Sequence, residues 1–314
     1  MRRGKTSSRR SPDPATSATP GPVTDPLDDL LDLLDLENID LDIFRGRNER
    51  TRPGRIFGGQ VAAQSLVAAS RTVEDLRAHS LHGYFLRPGD PTVPVVFTVD
   101  RIRDGRSFTT RHVVARQKGR AIFNMSVSFQ HHEAGYEHQM PMPEAPAPES
   151  LPAREELVKR HFDRIPEAER HWVTQPRPVD VRHVGLPSFF GGASRIGQNL
   201  VWMRVPRTLG DDPALHQRLL AYMSDLTLLD NIVLPHGRNG SLGPVMVASI
   251  DHALWFHRSL RVDEWLLYVQ DSPAAAGARG FARGTLFSRD GTLVASVAQE
   301  GLLRPTRRAE DRSE

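Results

Sequence analysis

The chain has 314 residues, of which 39% are hydrophobic and 25% charged, which suits a packed core and suggests two domains or one duplicated unit. It contains no cysteine, so disulfide scaffolds, thiolate metal sites and cysteine nucleophiles are excluded. The net charge of +3 comes from residues 1–12, which hold five basic residues and no acid, so nucleic-acid binding is not indicated. No apolar run reaches the ~20 residues of a membrane span.

The first segment, residues 1–26, is rich in Arg, Ser, Thr and Pro and lacks apolar periodicity, which predicts a disordered basic tail. Its prolines at positions 12, 14, 20 and 22 disfavour the amphipathic helix of a transit peptide. Residues 26–44 then alternate acids with Leu and Ile, first at helical spacing and then at period two. This pattern predicts a short acidic helix that runs into a strand.

A buried helix is predicted over residues 57–73, because this stretch is apolar on several sides and follows the tight Gly58-Gly59 turn. Four runs with strand-like alternation follow, separated by Pro-Gly, Asp-Gly and Lys-Gly turn signals. We therefore predict a first folded unit over residues 27–135. The proline-rich sequence that comes next predicts a linker over residues 136–178.

The second half repeats the first. A predicted helix over residues 213–232 precedes four more strand-like runs, and residues 281–295 align with 109–123 at an offset of 172, which matches Arg111 to Arg283. A repeat of this length indicates a tandem duplication rather than a solenoid. The second folded unit is predicted over residues 179–304, and residues 305–314 are predicted to form a disordered tail.

Several catalytic motifs are missing from the sequence. There is no GxSxG elbow, P-loop, GxGxxG or HExxH, and the 13 histidines do not cluster at metal-ligand spacing. Neither a metal nor a cofactor is therefore expected.

Asp225 interrupts the apolar sequence of the second predicted helix, where an uncompensated carboxylate is costly to bury. A buried carboxylate in this position is a candidate general base. An exposed helical aspartate remains the alternative interpretation, although Leu226, Leu228 and Leu229 leave little of the predicted helix surface for solvent.

Gln299 shares the parity of Leu293, Ala295 and Val297, so its amide is predicted to face the buried side of a strand. Its counterpart in the first half is the apolar Val127, which makes the amide specific to the second half. A glutamine that bonds a backbone group near a strand end is the alternative. Ser249 alone is a weaker candidate, because a serine in a strand is often simply a small residue.

Together these residues resemble the acyl-CoA thioesterase II (TesB-like) family. The resemblance extends from about residue 40 to 304 and is carried by these segments in order: residues 57–60 (FGGQ), 79–85 (HSLHGYF), 87–89 (RPG), 103–108 (RDGRSF), 222–225 (YMSD), 249–252 (SIDH), 255–257 (WFH) and 295–301 (ASVAQEG). No single segment is decisive, but their order along the chain is specific.

The resemblance implies an α+β double hotdog, in which each unit is a long helix wrapped by a curved antiparallel sheet. It also implies hydrolysis of fatty acyl-CoA to free fatty acid and CoA without a metal or a covalent intermediate. The catalytic Asp, Thr and Gln of the family fall on Asp225, Ser249 and Gln299, so a serine stands where the family usually has threonine. We expect Asp225 to act as the base and the other two to orient the water. Gly58 and Gly59, at a helix start, are candidate oxyanion donors.

Acyl-CoA is the expected partner, with Arg or Lys binding the CoA phosphates, and the family tends to form homodimers or homotetramers. The C-terminus does not match a peroxisomal Ser-Lys-Leu signal, so the cytoplasm is the expected location. Two alternatives remain open at this point. One is a hotdog hydratase or dehydratase that uses an Asp/His pair, from which release of free CoA would distinguish a thioesterase. The other is a non-catalytic protein that binds acyl-CoA without turnover.

Overall fold

The computed structural model describes residues 25–49, 54–165, 167–237 and 245–305. The predicted basic tail lies outside these residues except for its last two positions, and the predicted C-terminal tail lies outside them except for its first. The helices are α1 (Pro26–Leu34), α2 (Gly58–Ser70), α3 (Arg154–Arg160), α4 (Glu167–Thr174) and α5 (Pro213–Met223). No helix in the described part of the chain is long and apolar enough to cross a membrane.

The strands of the first half are β1 (Glu37–Asp40), β2 (Ile43–Gly46), β3 (Arg77–Phe85), β4 (Val95–Asp104), β5 (Phe108–Gln117) and β6 (Arg120–Gln130). Those of the second half are β7 (Asp180–His183), β8 (Asn199–Arg204), β9 (Val245–Ser249), β10 (Asp251–Phe256), β11 (Leu266–Ala276), β12 (Arg279–Ser288) and β13 (Leu293–Pro305). The acidic helix and the strand predicted from residues 26–44 correspond to α1, β1 and β2.

One continuous antiparallel sheet joins the two halves. Its strand order is β1-β2-β4-β5-β6-β3-β10-β13-β12-β11-β8-β7, and β9 pairs with β13 off this path. Starting from the central β3–β10 pair, where Leu81 lies opposite Leu254, the order β3-β6-β5-β4-β2 matches β10-β13-β12-β11-β8. The predicted tandem duplication therefore appears directly in the topology.

The core lies between this sheet and the pair α2 and α5, which pack against each other. Every residue of α2 from Gly59 to Ala69 is buried, as predicted from its apolar sequence. Small side chains such as Ala62 and Ala63 let the helix approach its neighbours closely. The start of α2 is consequently fixed in the interior, next to the end of α5.

The helix predicted over residues 213–232 is shorter than expected, because α5 ends at Met223. Residues 224–227 form turns, and a short 3₁₀ helix follows at Leu228–Ile232. Asp225 is thus not in mid-helix but two residues beyond the helix end. Its carboxylate accepts hydrogen bonds from two other elements, α2 and β13.

The segment predicted as a linker contains local structure. Its first part runs over the outer face of the second-half sheet, where Trp202 Nε1 donates to the Pro146 carbonyl at 2.9 Å. Its later part contains α3 and α4, which with Phe190 enclose a small separate core. These short helices are stabilised by apolar contacts with one another. They form a cap beside β7, which α3 contacts.

Candidate active site

Asp225 is the centre of the site. Its side chain is 8% exposed, and both carboxylate oxygens accept hydrogen bonds. Oδ2 accepts from the backbone N–H of Gly59 at 2.8 Å, and Oδ1 accepts from Gln299 Nε2 at 2.8 Å. One donor comes from the first half of the chain and the other from the second, so both halves hold this carboxylate.

Two glycines allow α2 to begin this close to Asp225. A Cβ atom on Gly58 would lie 2.7 Å from Asp225 Oδ2, and one on Gly59 would lie 2.5 Å from the Tyr222 carbonyl oxygen. The first N–H groups of a helix lack intrahelical partners and carry the positive end of the helix dipole. The start of α2 therefore complements the negative charge of the carboxylate.

This contact bears on the prediction that Gly58 and Gly59 donate to an oxyanion. The Gly59 N–H already binds Asp225. Among the described residues, the Gly58 N–H donates no hydrogen bond, so of the two amides it is the one open to a ligand. The oxyanion role itself stays a prediction.

Gln299 lies on β13 with its side chain fully buried, on the same face as Ala295 and Val297, as its parity predicted. Because Nε2 donates to Asp225, Oε1 points elsewhere, and that atom has no hydrogen-bond partner in the described structure. A buried amide oxygen without a partner is costly, which makes it a natural acceptor for a bound water. The equivalent residue of the first half, Val127, is buried on β6 and has no such group.

Ser249 is the last residue of β9, opposite Gly301 on β13. Since Gly301 and Gln299 are two residues apart, Ser249 and Gln299 share one face of the sheet as diagonal neighbours, typically about 7–8 Å apart. Within the described residues, no hydrogen bond joins Ser249 to Asp225 or Gln299. The hydroxyl and the amide therefore lie on one face of the sheet without bonding each other directly.

Three further residues hold the turn that carries Asp225. Ser224 directly precedes Asp225. The Ser224 carbonyl accepts a hydrogen bond from Tyr268 Oη at 3.1 Å, and the Ser224 hydroxyl lies 2.8 Å from His252 Nε2. None of the sequence motifs assigned a role to these residues. The signal that could have found His252 is its alternation with Leu254 and Phe256, which are buried on the same face of β10. Tyr268 offers no such signal, because a buried tyrosine in a strand is common.

The protonation of this group follows from its hydrogen bonds. The Ser224 hydroxyl donates to the Ala221 carbonyl at 3.0 Å, so it accepts from His252 Nε2–H, and Nδ1 is left without a proton. Burial lowers the pKa of His252, which keeps the ring neutral, although the charges of Asp225 and Asp251 oppose this shift. Burial, followed by the charge of Asp225, raises the pKa of Tyr268, so its hydroxyl is a stable donor.

A cavity of about 310 Å³ borders the same turn. Phe57, Tyr222 and Leu226 line it from the elements that position Asp225. The rings of Phe57 and Tyr222 meet edge to face at 5.1 Å between centroids. The described residues contain no cluster of three or more His, Asp or Glu side chains placed to bind a metal ion.

Comparison with known proteins matches both halves of the chain. The family profile described as acyl-CoA thioesterase matches residues 168–302, and the profile of the acyl-CoA thioesterase N-terminal domain matches residues 47–130. Acyl-coenzyme A thioesterase 8 of Mus musculus is 39% identical over 87% of this chain and 88% of its own length. Acyl-CoA thioesterase 2 of Haemophilus influenzae is 38% identical over 90% of this chain and 99% of its own length.

Solved structures agree with these matches. The acyl-CoA thioesterase II TesB2 from Mycobacterium marinum is 45% identical with a TM-score of 0.72, covering 88% of this chain and 98% of its own. A tesB protein from Mycobacterium avium subs paratuberculosis is 34% identical with a TM-score of 0.74, covering 89% of this chain and 100% of its own.

The duplicated helix-and-sheet units and these relatives define a thioester hydrolase with a double hotdog fold. The chain belongs to the acyl-CoA thioesterase family. The fold, the family and the class of enzyme predicted from the sequence are thereby confirmed. The individual roles assigned to Asp225, Ser249, Gln299 and the two glycines stay predictions.

Proposed function

We propose that this enzyme hydrolyses fatty acyl-CoA to a free fatty acid and CoA by attack of a water molecule that Asp225 activates. One observation carries the proposal: the buried Asp225 carboxylate is held by the Gly59 amide and the Gln299 side chain, each at 2.8 Å. Fixed donors from two elements hold the carboxylate in one orientation, as a general base requires.

The chemistry needs few groups. A thioester carbonyl is electrophilic and thiolate is a good leaving group, so a positioned water and a base suffice. A carboxylate has about four acceptor sites, of which two are used in Asp225, and the remaining sites accept the proton of the attacking water. General-base assistance of this kind contributes about 10²–10⁴-fold to the rate.

The water is oriented by the other two predicted residues. Gln299 Oε1 is buried without a partner among the described residues, so it accepts the second proton of the water in a hydrogen bond. The Ser249 hydroxyl, on the same sheet face, supplies a third contact. The negative charge that develops on the thioester oxygen is bound by the Gly58 N–H at the start of α2.

His252 and Tyr268 act on this site through Ser224. Their hydrogen bonds fix both the hydroxyl and the carbonyl of the residue before Asp225. His252 contacts Ser224 rather than the carboxylate, which favours a positioning role over the Asp/His pair of a hydratase. A rigid turn keeps the base within reach of the water, and misplacement by about 1 Å can reduce a rate about 10²-fold.

The reaction class is tested by product analysis. The wild-type chain is incubated with saturated and 2,3-unsaturated acyl-CoAs of matched length, and both free thiol and intact thioester are quantified by mass spectrometry. Equimolar free CoA and fatty acid from the saturated substrates support the proposal. Hydrated acyl-CoA without thiol release supports the hydratase alternative, and binding without any product supports a non-catalytic protein.

The enzyme is further proposed to act as a homodimer or homotetramer in the cytoplasm. The strands β1 and β7 end the sheet order, and the unpaired side of an edge strand can pair with another chain. Light scattering of the eluting protein measures the assembly, and a monomer at micromolar concentration contradicts it. Fractionation of producing cells tests the location.

A further inference from the structure

A buried chain of hydrogen bonds ends at the residue two positions after Asp225. Gln270 on β11 is 1% exposed, and its Nε2 donates to the Thr227 hydroxyl at 2.5 Å. Gln270 Oε1 accepts from Asn231 Nδ2 at 2.8 Å and from Asn199 Nδ2 at 3.4 Å. Both asparagines are also buried. Three buried amides from three elements therefore form one connected network beside the Asp225 turn.

The direction of these hydrogen bonds is fixed at both ends. Asn231 Nδ2 also donates to the Leu228 carbonyl at 2.8 Å, so reversing this amide would place one oxygen against another. At the other end, Asn199 Oδ1 accepts from Arg195 Nη2 at 2.9 Å, and a guanidinium can only donate. Both asparagines thus present Nδ2 to Gln270. Its Oε1 must accept, and its Nε2 must donate.

The Thr227 hydroxyl takes its role from this network. A hydroxyl has one proton to donate, and it can accept through its oxygen. Because Gln270 Nε2 donates to Thr227 Oγ1, the hydroxyl proton points elsewhere, and within the described residues it has no acceptor. Thr227 is the N-cap of the 3₁₀ helix at Leu228–Ile232, yet its side chain makes no capping hydrogen bond, which is the usual use of threonine there. The network therefore leaves one oriented hydroxyl donor open.

This donor lies next to the candidate active site. Thr227 lines the cavity that borders the Asp225 turn. Leu226, which follows Asp225, lines it as well, and so does Phe57, which precedes Gly58. None of the three candidate catalytic residues lines this cavity. It therefore adjoins the base and the N–H predicted to bind the oxyanion, and Thr227 offers a donor to a ligand that extends from them.

We propose that the Thr227 hydroxyl donates a hydrogen bond to a carbonyl oxygen of the bound acyl-CoA, and that Gln270 is the positioning residue that directs this donor. Acyl-CoA has two kinds of carbonyl near its reacting end, the thioester carbonyl and the amide carbonyls of the pantetheine arm. Gln270 contacts Thr227 rather than the substrate, so it acts only through the hydroxyl. The inference rests on the proposed thioesterase function.

The test measures free-thiol release from one acyl-CoA by the full chain. Thr227→Val removes the hydroxyl at nearly constant side-chain volume, and Thr227→Ser keeps it. Gln270→Met removes the donor to Thr227 and is combined with Thr227→Val in a double-mutant cycle. Thr285→Val is the matched control, because Thr285 lies on the outer face of β12 and its hydroxyl makes no hydrogen bond within the described chain. Thermal unfolding shows whether each variant folds.

We expect Thr227→Val to lower kcat/KM about fivefold to tenfold, as the loss of one neutral hydrogen bond does. Thr227→Ser should stay within about twofold of the wild type, and Gln270→Met should lose about threefold or more because the hydroxyl can then rotate. The double variant should be no slower than Thr227→Val alone, and Thr285→Val should match the wild type. The cycle is the decisive readout, since independent structural effects would multiply.

A second substrate distinguishes the two kinds of carbonyl. The same acyl group is presented as its thioester with 2-mercaptoethanol, which contains no amide. If Thr227→Val loses the same factor on this substrate, mainly in kcat, the acceptor is the thioester carbonyl. If the loss disappears on this substrate and lies in KM on acyl-CoA, the acceptor is a pantetheine amide.

Three results would overturn the inference. The first is a wild-type kcat/KM for Thr227→Val on acyl-CoA. The second is an equal loss in Thr227→Ser and Thr227→Val. The third is a double variant whose loss is the product of the two single losses. Absence of thiol release by the wild type would instead contradict the proposed function.

A further variant serves if Gln270→Met does not fold. Gln270→Glu keeps the shape of the side chain, but its carboxylate can only accept, so the Thr227 hydroxyl would donate to it and turn away from the substrate. We expect Gln270→Glu to lose at least as much activity as Thr227→Val, with no further loss when the two are combined. Wild-type kcat/KM in a folded Gln270→Glu variant would also overturn the inference.

Discussion

The backbone N–H of Gly59 donates a hydrogen bond to Asp225 Oδ2 at 2.8 Å, across 166 positions of sequence. Gly59 belongs to the first hotdog unit and Asp225 to the second. The contact exists because α2 begins where α5 ends, inside the joint core. A single unit would supply only one side of this arrangement, so the candidate site requires the duplicated fold.

Replacing Gly58 with alanine should disrupt the site. The added methyl group would lie 2.7 Å from Asp225 Oδ2 and 2.8 Å from the Phe85 ring, both closer than ordinary contacts. We expect kcat to fall about 10-fold or more, because the base moves relative to the substrate. Gly210→Ala is the control, since a Cβ there meets nothing within 4 Å. Thiol-release rates at the wild-type level in Gly58→Ala would contradict this account of the site.

Gln299→Val copies the residue that the first half carries at the equivalent position. It removes the hydrogen bond to Asp225 Oδ1 and the unpartnered Oε1 that we assign to the water. A hydrogen bond to a charged group contributes about 1.5–3 kcal/mol, so we expect kcat to fall roughly 10–100-fold. Steady-state kinetics should show a smaller change in KM. An unchanged kcat in a folded variant would exclude Gln299 from the reaction.

Ser249 is tested with a pair of substitutions. Ser249→Ala removes the hydroxyl and should lower kcat about 10-fold, whereas Ser249→Thr keeps it and restricts its χ1 rotation. We expect the threonine variant to be at least as active as the wild type. If Ser249→Ala and the wild type have equal kcat values, the Ser249 hydroxyl does not orient the water.

His252 should make stability depend on pH. Burial lowers its pKa in the folded state below the ordinary 6.5, so the unfolded chain binds a proton that the folded chain resists. Stability is therefore full above pH 6.5 and decreases as pH falls below it, by about 1.4 kcal/mol per pH unit for one proton.

Urea unfolding between pH 7.5 and pH 5.5, an interval of about two units around the ordinary histidine pKa, measures this slope. His252→Gln should show a shallower dependence than the wild type, and the exposed His138→Gln should leave it unchanged. An equal slope in His252→Gln and the wild type would show that His252 does not carry the effect.

The duplication was predictable because the same local sequence patterns occur in both halves of the chain. The offset of 172 aligns turn glycines and alternating strands, and the two halves of the sheet follow the same strand order. The inward amide of Gln299 was predictable for the same reason, since strand parity fixes the face. Its asymmetry with Val127 follows from the internal alignment of the two halves alone.

Tertiary contacts were not predictable in this way. Arg111 and Arg283 align in sequence, yet Arg111 is 2% exposed and bonds Thr72 and Asp104, whereas Arg283 is exposed and pairs with Asp271. The helix over residues 213–232 was predicted too long because its apolar sequence continues through the turn at Asp225. The turn depends on the Gly59 and Gln299 contacts, which no local pattern contains.

The central claim is that Asp225 is the base, and thiol release by Asp225→Asn tests it most directly. The asparagine keeps the size of the side chain but cannot take a proton from water. We expect kcat on the best acyl-CoA substrate to fall by at least about 10²-fold, with KM and thermal stability near those of the wild type. Wild-type turnover by a folded Asp225→Asn variant would contradict the mechanism.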